Sequence, residues 1–158
     1  MKPQIGQPAP DFTAPVASGD YPDGAVLTLS ALRGHRVVLV FYPKDDTPGC
    51  TTQACALRDG WDAIKDQALV FGVSVDPVKS HDKFISKHSL PYPLIADDEK
   101  TIVSDYGVWV EKSMYGKTYM GTERSTFIIA PDGTIQAILE KVAPADHLDL
   151  LAAALKGK

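Results

Sequence analysis

Cys50 and Cys55 are the chain's two cysteines, separated by Thr51-Thr52-Gln53-Ala54 and preceded by Pro43-Lys44-Asp45-Asp46-Thr47-Pro48-Gly49. Thiol chemistry therefore has one address. The thiolate is the reactive form of cysteine, and a helix N-terminus favours it through free backbone N–H groups and a partial positive charge. The residues before Cys50 suit such a start. Thr47 fits the N-cap, Pro48 fits the first helical position, where no N–H is needed, and Gly49 lets the backbone approach a ligand closely. Cys50 then falls in the first turn. The N–H groups of Gly49, Cys50 and Thr51 are expected to lack intrahelical partners and to be open to a small oxygen species or a developing negative charge.

At about 100° per residue, Ala54, Leu57, Trp61 and Ile64 form one inward stripe that includes Cys50, so Cys50 is expected to face a pocket wall. Cys55 lies roughly 140° away, among Asp59, Asp62 and Asp66 on the expected polar face. In an ideal helix, residues five apart have Cα atoms roughly 8.6 Å apart, beyond the ~7 Å that a disulfide tolerates. Joining the two sulfurs requires the helix to unwind. Gly60, which costs a helix interior about 1 kcal/mol relative to Ala, either eases such opening or marks a close packing contact.

The residues alone leave three readings of this pair: redox-active thiols, metal ligands, or inert buried side chains. A zinc site needs more ligands, and His35, His81, His88 and His147 are scattered without the close pairing such sites use. The Cys-x-x-Cys spacing of disulfide oxidoreductases is absent. A non-catalytic interaction or chaperone protein is the remaining class, since fold does not fix function.

The 158 residues, 44% hydrophobic and 23% charged, suit one domain with a substantial core. The net charge of −4 argues against nucleic acid or an anionic membrane as a partner. No apolar run approaches the ~18 residues of a membrane span, and Met1 to Pro10 lacks the apolar core of a secretory signal, which sets the expectation of a cytoplasmic protein.

Several elements must position the cysteines. Pro3 to Pro22 reads as an extended opening segment draped over the domain. Thr28 to Leu32 looks like a short helical turn closed by Gly34. Val37 to Tyr42 and Leu69 to Val75 are continuous apolar runs suited to strands buried on both faces. A helix is expected from Val78 to His88, with Phe84 and Ile85 inward, and a short one from Thr101 to Tyr106. Strands over Ser125 to Ala130 and Thr134 to Leu139 flank the turn Pro131-Asp132-Gly133. The spacing of Leu148, Leu151 and Leu155 marks a closing amphipathic helix. The pattern predicts an α/β fold, a central mixed sheet flanked by helices.

Pro43-x-x-x-Thr47-x-x-Cys50 resembles the active-site signature of the peroxiredoxins, and Phe41 to Cys55 as a whole resembles the bacterioferritin-comigratory, or peroxiredoxin Q, subfamily. Gly6-Gln-Pro-Ala-Pro-Asp-Phe12 and Met114 to Phe127 resemble two further family segments, so the likeness covers essentially the whole chain, 1–158. It implies a thioredoxin-like fold and a thiol peroxidase. Cys50 would be the peroxidatic residue and Cys55 the resolving one, with Arg124 the active-site arginine. From the sequence alone, Arg124 at the start of a strand would read as a solvated charge, with Glu123 on the other face. Two positions depart from the family pattern: Gln53 stands where many relatives carry Glu, and Val110 follows Trp109 where Gly is usual.

The resemblance implies that Cys50 attacks a hydroperoxide to give water or an alcohol and a sulfenic acid. Thr47 would align the peroxide, Arg124 and the helix-start N–H groups would stabilise the departing oxygen, and Pro43 and Pro48 would shield the pocket. Cys55 would then form a disulfide with Cys50, which thioredoxin or a similar dithiol reduces. No metal or organic cofactor is required, and the subfamily suggests a monomer. Asp45 and Asp46 would disfavour the Cys50 thiolate if they pointed toward it, and are expected outward. Pocket size is expected to depend on packing around Trp109, Met114 and Met120.

Overall fold

The computed structural model describes residues 2–18 and 24–156, together with the backbone but not the side chain of Met114; Pro22 lies outside the described residues. Its centre is β3 (Val37–Phe41), every residue of which is buried. β3 pairs in parallel with β4 (Leu69–Ser74) and antiparallel with β8 (Ser125–Ile129). With two neighbours and both faces covered, β3 can be apolar throughout, as the sequence pattern predicts.

The remaining strands extend the sheet from this centre. β5 (Leu94–Ala96) lies beside β4, followed by β1 (Thr13–Ala17) and β2 (Val26–Thr28), while β9 (Ile135–Glu140) flanks β8. The opening segment is thus partly a sheet strand rather than a drape. Pro8 also bridges to Thr134 beyond the opposite edge. The expected turn helix is a 3-10 turn over Leu29–Leu32.

Alternating side chains of β3 feed two cores. Val37, Leu39 and Phe41 join Phe71, Phe127 and Tyr106 on the face covered by α3 (Thr101–Asp105). Val38 and Val40 join Leu57, Phe84 and Leu151 on the face covered by α1 (Pro48–Asp59), α2 (Val78–His88) and α4 (His147–Lys156). Phe84 is buried as expected, and Ile85 is partly buried against the same core.

An outlying antiparallel ribbon, β6 (Trp109–Met114) and β7 (Lys117–Thr122), connects α3 to β8. Its two-residue turn has φ of 52° at Tyr115 and 78° at Gly116. Two positive φ values are what a tight hairpin needs to match the strands' twist. Among the described residues, no helix is long and apolar enough to cross a membrane.

Candidate active site

Strand register brings the chemistry together. Phe41, the last residue of β3, pairs with Ser125, the first of β8. The chain leaving β3 therefore starts beside the chain entering β8. The first carries Pro43, Thr47 and Cys50 into α1, and the second carries Arg124. Arg124 precedes the strand rather than beginning it, so its long side chain can cross to the helix. Its Nη2 donates to Cys50 Sγ at 3.4 Å, and its Nη1 donates to Gln53 Oε1.

Thr47 is the N-cap residue, with extended φ and ψ of −93° and 158°, and Pro48 follows at the first helical position. The Thr47 side chain does not cap the helix. Its hydroxyl donates to the Lys44 carbonyl at 3.0 Å, which leaves its oxygen lone pairs free to accept. The Thr51 N–H is already taken, by Thr47 O at 2.8 Å, because Thr51 stands four residues beyond the cap. The expectation of three open N–H groups is therefore corrected to two, those of Gly49 and Cys50. Gly49 is needed for a close approach, and the Arg124 guanidinium makes it: a Cβ at Gly49 would lie 3.2 Å from Nη2.

Cys50 is 2% exposed. It faces a small cavity with Val40, Tyr42, Gln53, Gly72, Phe84 and Tyr92, matching the expected pocket wall. Beside it a larger cleft is lined by Val110, Lys112, Arg124, Lys141 and Pro144, with Glu111 and Glu123 at the same opening. Burial, and then the Arg124 charge, hold Lys112 below its ordinary lysine range. Trp109 is partly buried, whereas Met120 is half-exposed on the ribbon.

The helix differs from expectation beyond its first turns. It stops at Asp59, with Gly60 as its C-cap, and Trp61–Ala63 form a separate 3-10 turn. Ile64 is still buried and Trp61 still packs on the core, but Asp62 and Asp66 are not on the helix. Gly60 marks a packing contact, since a Cβ there would fall 2.4 Å from Leu148 of α4. Of the three aspartates expected around Cys55, only Asp59, one turn further along α1, shares its helix. Cys55 is partly buried, with Sγ 3.8 Å from His88 Nδ1 at the end of α2.

Asp46 points outward as expected, and binds Lys87 at 2.8 Å and His88 at 3.3 Å. Those two partners hold its carboxyl below the usual carboxylate range. Asp45 does the opposite of what was expected and is 7% exposed. It accepts from the Tyr42 hydroxyl at 2.5 Å and from Ser80 at 2.8 Å, and lies 2.7 Å from His81 Nδ1. Its own N–H donates to Asp76. With both oxygens engaged, the side chain anchors the 43–47 loop to α2. Burial, followed by the Asp45 charge, pushes Tyr42 well above its ordinary range, so its hydroxyl stays a donor.

Behind the site, His147 at the start of α4 holds Thr126 at 2.7 Å, while its Nδ1 has no hydrogen-bond partner. Burial, with the Arg124 charge, pushes it down to about 4, so it is neutral near pH 7. Gln53, His81 and His88 are site features that sequence reasoning did not assign. The one sequence signal for any of them is Gln53 standing where many relatives carry Glu.

Both cysteines are free thiols on one continuous helix. Arg124, Thr47 and Cys50 converge at its start, and Cys55 stands apart, facing α2.

The AhpC/TSA family model matches residues 5–138. A putative peroxiredoxin of Coxiella burnetii is 44% identical over 94% of this chain and 95% of its own length. Peroxiredoxin Bcp of Escherichia coli K12 is 38% identical over 97% and 96%. Among solved structures, the bacterioferritin comigratory protein of Xanthomonas campestris superposes with a TM-score of 0.86 at 36% identity, covering 98% of each chain. Xylella fastidiosa PrxQ superposes at 0.89 with 31% identity, covering 99% of this chain and 98% of its own. The mixed sheet and its helices are thus the thioredoxin-like fold of these proteins, and the chain belongs to the AhpC/TSA family, in its Bcp or peroxiredoxin Q branch, as a thiol-dependent peroxidase.

Proposed function

We propose that the peroxidase cycle of this chain runs on Cys50 as the peroxidatic thiol and Cys55 as the resolving thiol. The observation that carries this is the Arg124 guanidinium 3.4 Å from Cys50 Sγ at the first turn of α1. A cation and two open N–H groups at one sulfur favour the thiolate and the charge that develops on a departing oxygen.

The Cys50 thiolate attacks the terminal oxygen of a hydroperoxide. The O–O bond breaks, water or an alcohol leaves, and Cys50 becomes a sulfenic acid. Thr47 accepts a hydrogen bond from the hydroperoxide while its own hydroxyl keeps donating to the Lys44 carbonyl, and so orients the substrate in line with the sulfur. Pro43 and Pro48 limit water at the entrance. Cys55 then attacks the sulfenic sulfur and releases water, and a thioredoxin-type dithiol reduces the disulfide by exchange. The two thiols supply both electrons and the peroxide O–O bond accepts them, so no cofactor is required. The alkyl peroxide reduction activity of the Xanthomonas relative supports organic hydroperoxides as substrates beside hydrogen peroxide. The whole chain acts as one domain, a monomer in the cytoplasm.

The test is NADPH oxidation through thioredoxin reductase and thioredoxin with each cysteine replaced by serine. Cys50→Ser is expected to abolish peroxide consumption. Cys55→Ser is expected to consume one equivalent and then stop. Full recycling by Cys55→Ser would remove Cys55 from its role.

A further inference from the structure

The proposed cycle asks a neutral-pH thiol, Cys55, to act as a nucleophile, yet Arg124 and the helix N-terminus serve only Cys50. What Cys55 has instead comes from α2 and from the active-site loop. His88 Nδ1 lies 3.8 Å from Cys55 Sγ, and His88 Nε2 lies 3.3 Å from Asp46 Oδ1. A carboxylate can only accept, so a neutral ring carries its proton on Nε2 and turns its Nδ1 lone pair to the thiol. Thiol, imidazole and carboxylate are thus in line, the order in which a histidine acts as a base on a nucleophile and is held in one tautomer by an acid.

We propose that His88, oriented by Asp46, is the base that deprotonates Cys55 for disulfide formation. This rests on Cys55 being the resolving thiol.

The surroundings favour the transfer. His88 closes α2, where the negative end of the helix stabilises an imidazolium. The Phe84 ring packs edge-on against the imidazole with centroids 5.3 Å apart, which limits its rotation. The charged and titratable groups around the pair are few. From α1 come Cys55, Asp59 and Arg58; Arg58 binds Asp59 at 2.9 Å, its Nη1 donates to the His88 carbonyl at 2.8 Å, and its charge acts on Cys55. The loop supplies Asp46, and α2 supplies Lys87, which also binds Asp46. Buried Tyr92 senses the charge of Cys55 and is pushed up, chiefly by burial, so it stays neutral.

The step balances. The S–H proton of Cys55 passes to His88 Nδ1, and the thiolate pair forms the S–S bond at Cys50. The S–O bond of the sulfenic acid breaks, and the departing hydroxide becomes water by taking a proton delivered from His88 through solvent. Because the proton leaves while α1 is folded, Cys55 enters the unwound state as a thiolate. Asp46 lies between Pro43 and Thr47, so the loop that shapes the peroxide site also holds the base for the second step.

Rapid-quench mass spectrometry after one equivalent of hydrogen peroxide separates the two steps, as a gain of about 16 Da for the sulfenic acid followed by a net loss of about 2 Da for the disulfide. In His88→Gln near pH 7, decay of the sulfenic acid is expected to slow at least tenfold relative to its formation. The decay in that variant should then recover as pH rises, because solvent hydroxide can take the thiol proton without the imidazole. Asp46→Asn, which tolerates the φ of 58° at this position, is expected to slow the same step by a smaller factor. A merely structural role would slow the step equally at every pH. That result, or an unchanged decay in His88→Gln, would overturn the proposal while leaving Cys55 as the resolver. Absence of the disulfide mass in the unsubstituted protein would overturn both.

Discussion

On α1 the face turned to the sheet carries Cys50, Gln53, Ala54 and Leu57, all buried, whereas the face turned to α2 carries Cys55 and Arg58, both only partly covered. Each face holds one sulfur, and the two are held differently. Cys50 is fixed by an arginine, a cavity wall and a helix start that the β3–β8 register places together. Cys55 is held by one imidazole contact at the end of a neighbouring helix. The first sulfur must wait in one geometry for a small substrate. The second must leave its place, and its cover is correspondingly thin. What opposes its departure is the other face: freeing the second half of α1 exposes Leu57, at about 1.5–3 kcal/mol for one leucine side chain. A cost of that size keeps the unwound helix a minor state that the sulfenic acid can still reach.

The comparison can be pressed first from behind the buried face, where α4 braces α1 through Leu148 against Gly60 and ties to the sheet through His147 and Thr126. An unfolded histidine holds its proton below about 6.5, and His147 in the folded chain does so only below about 4. Between those values the unfolded state binds more protons, so stability present above pH 6.5 is lost as pH falls to 4. The loss amounts to about 3 kcal/mol in all. Urea unfolding at stepped pH is expected to show this slope in the unsubstituted protein and a flatter one in His147→Gln. Parallel profiles would contradict the assignment.

A smaller effect is expected from Arg124→Ala. Losing the cation at Cys50 is expected to slow the peroxide step at least tenfold, roughly 1.4 kcal/mol of barrier. An unchanged rate of sulfenic acid formation would mean that the arginine acts elsewhere. The contrast between the faces sharpens if Arg124→Ala slows only the first step and His88→Gln only the second.

Much of this was legible in the chain. The runs Val37 to Tyr42 and Leu69 to Val75 announce buried central strands because they are apolar almost throughout, with Ser74 the one small polar residue in the second, and α2 falls on its expected bounds. The strands β5, β1 and β2, which extend the sheet beyond β4, are short and set by pairing between segments apart in sequence, so local periodicity carries little of them. The β6–β7 ribbon was missed because its exposed second strand is mostly polar, although Gly116 marked its turn. At the site, the helix start at Thr47 and Pro48 and the burial of Cys50 could be read residue by residue. Asp45 could not, because its burial depends on Ser80 and His81 on another element. The partner of Cys55 stands 33 residues away at the end of a helix, and spacing alone cannot bring those two together.

The most direct test of the two-sulfur cycle is intact mass and free-thiol count after one equivalent of hydrogen peroxide is added to the reduced protein. The account predicts a loss of about 2 Da, no remaining free thiol, and full restoration by thioredoxin. An unchanged mass with both thiols still titratable would contradict it.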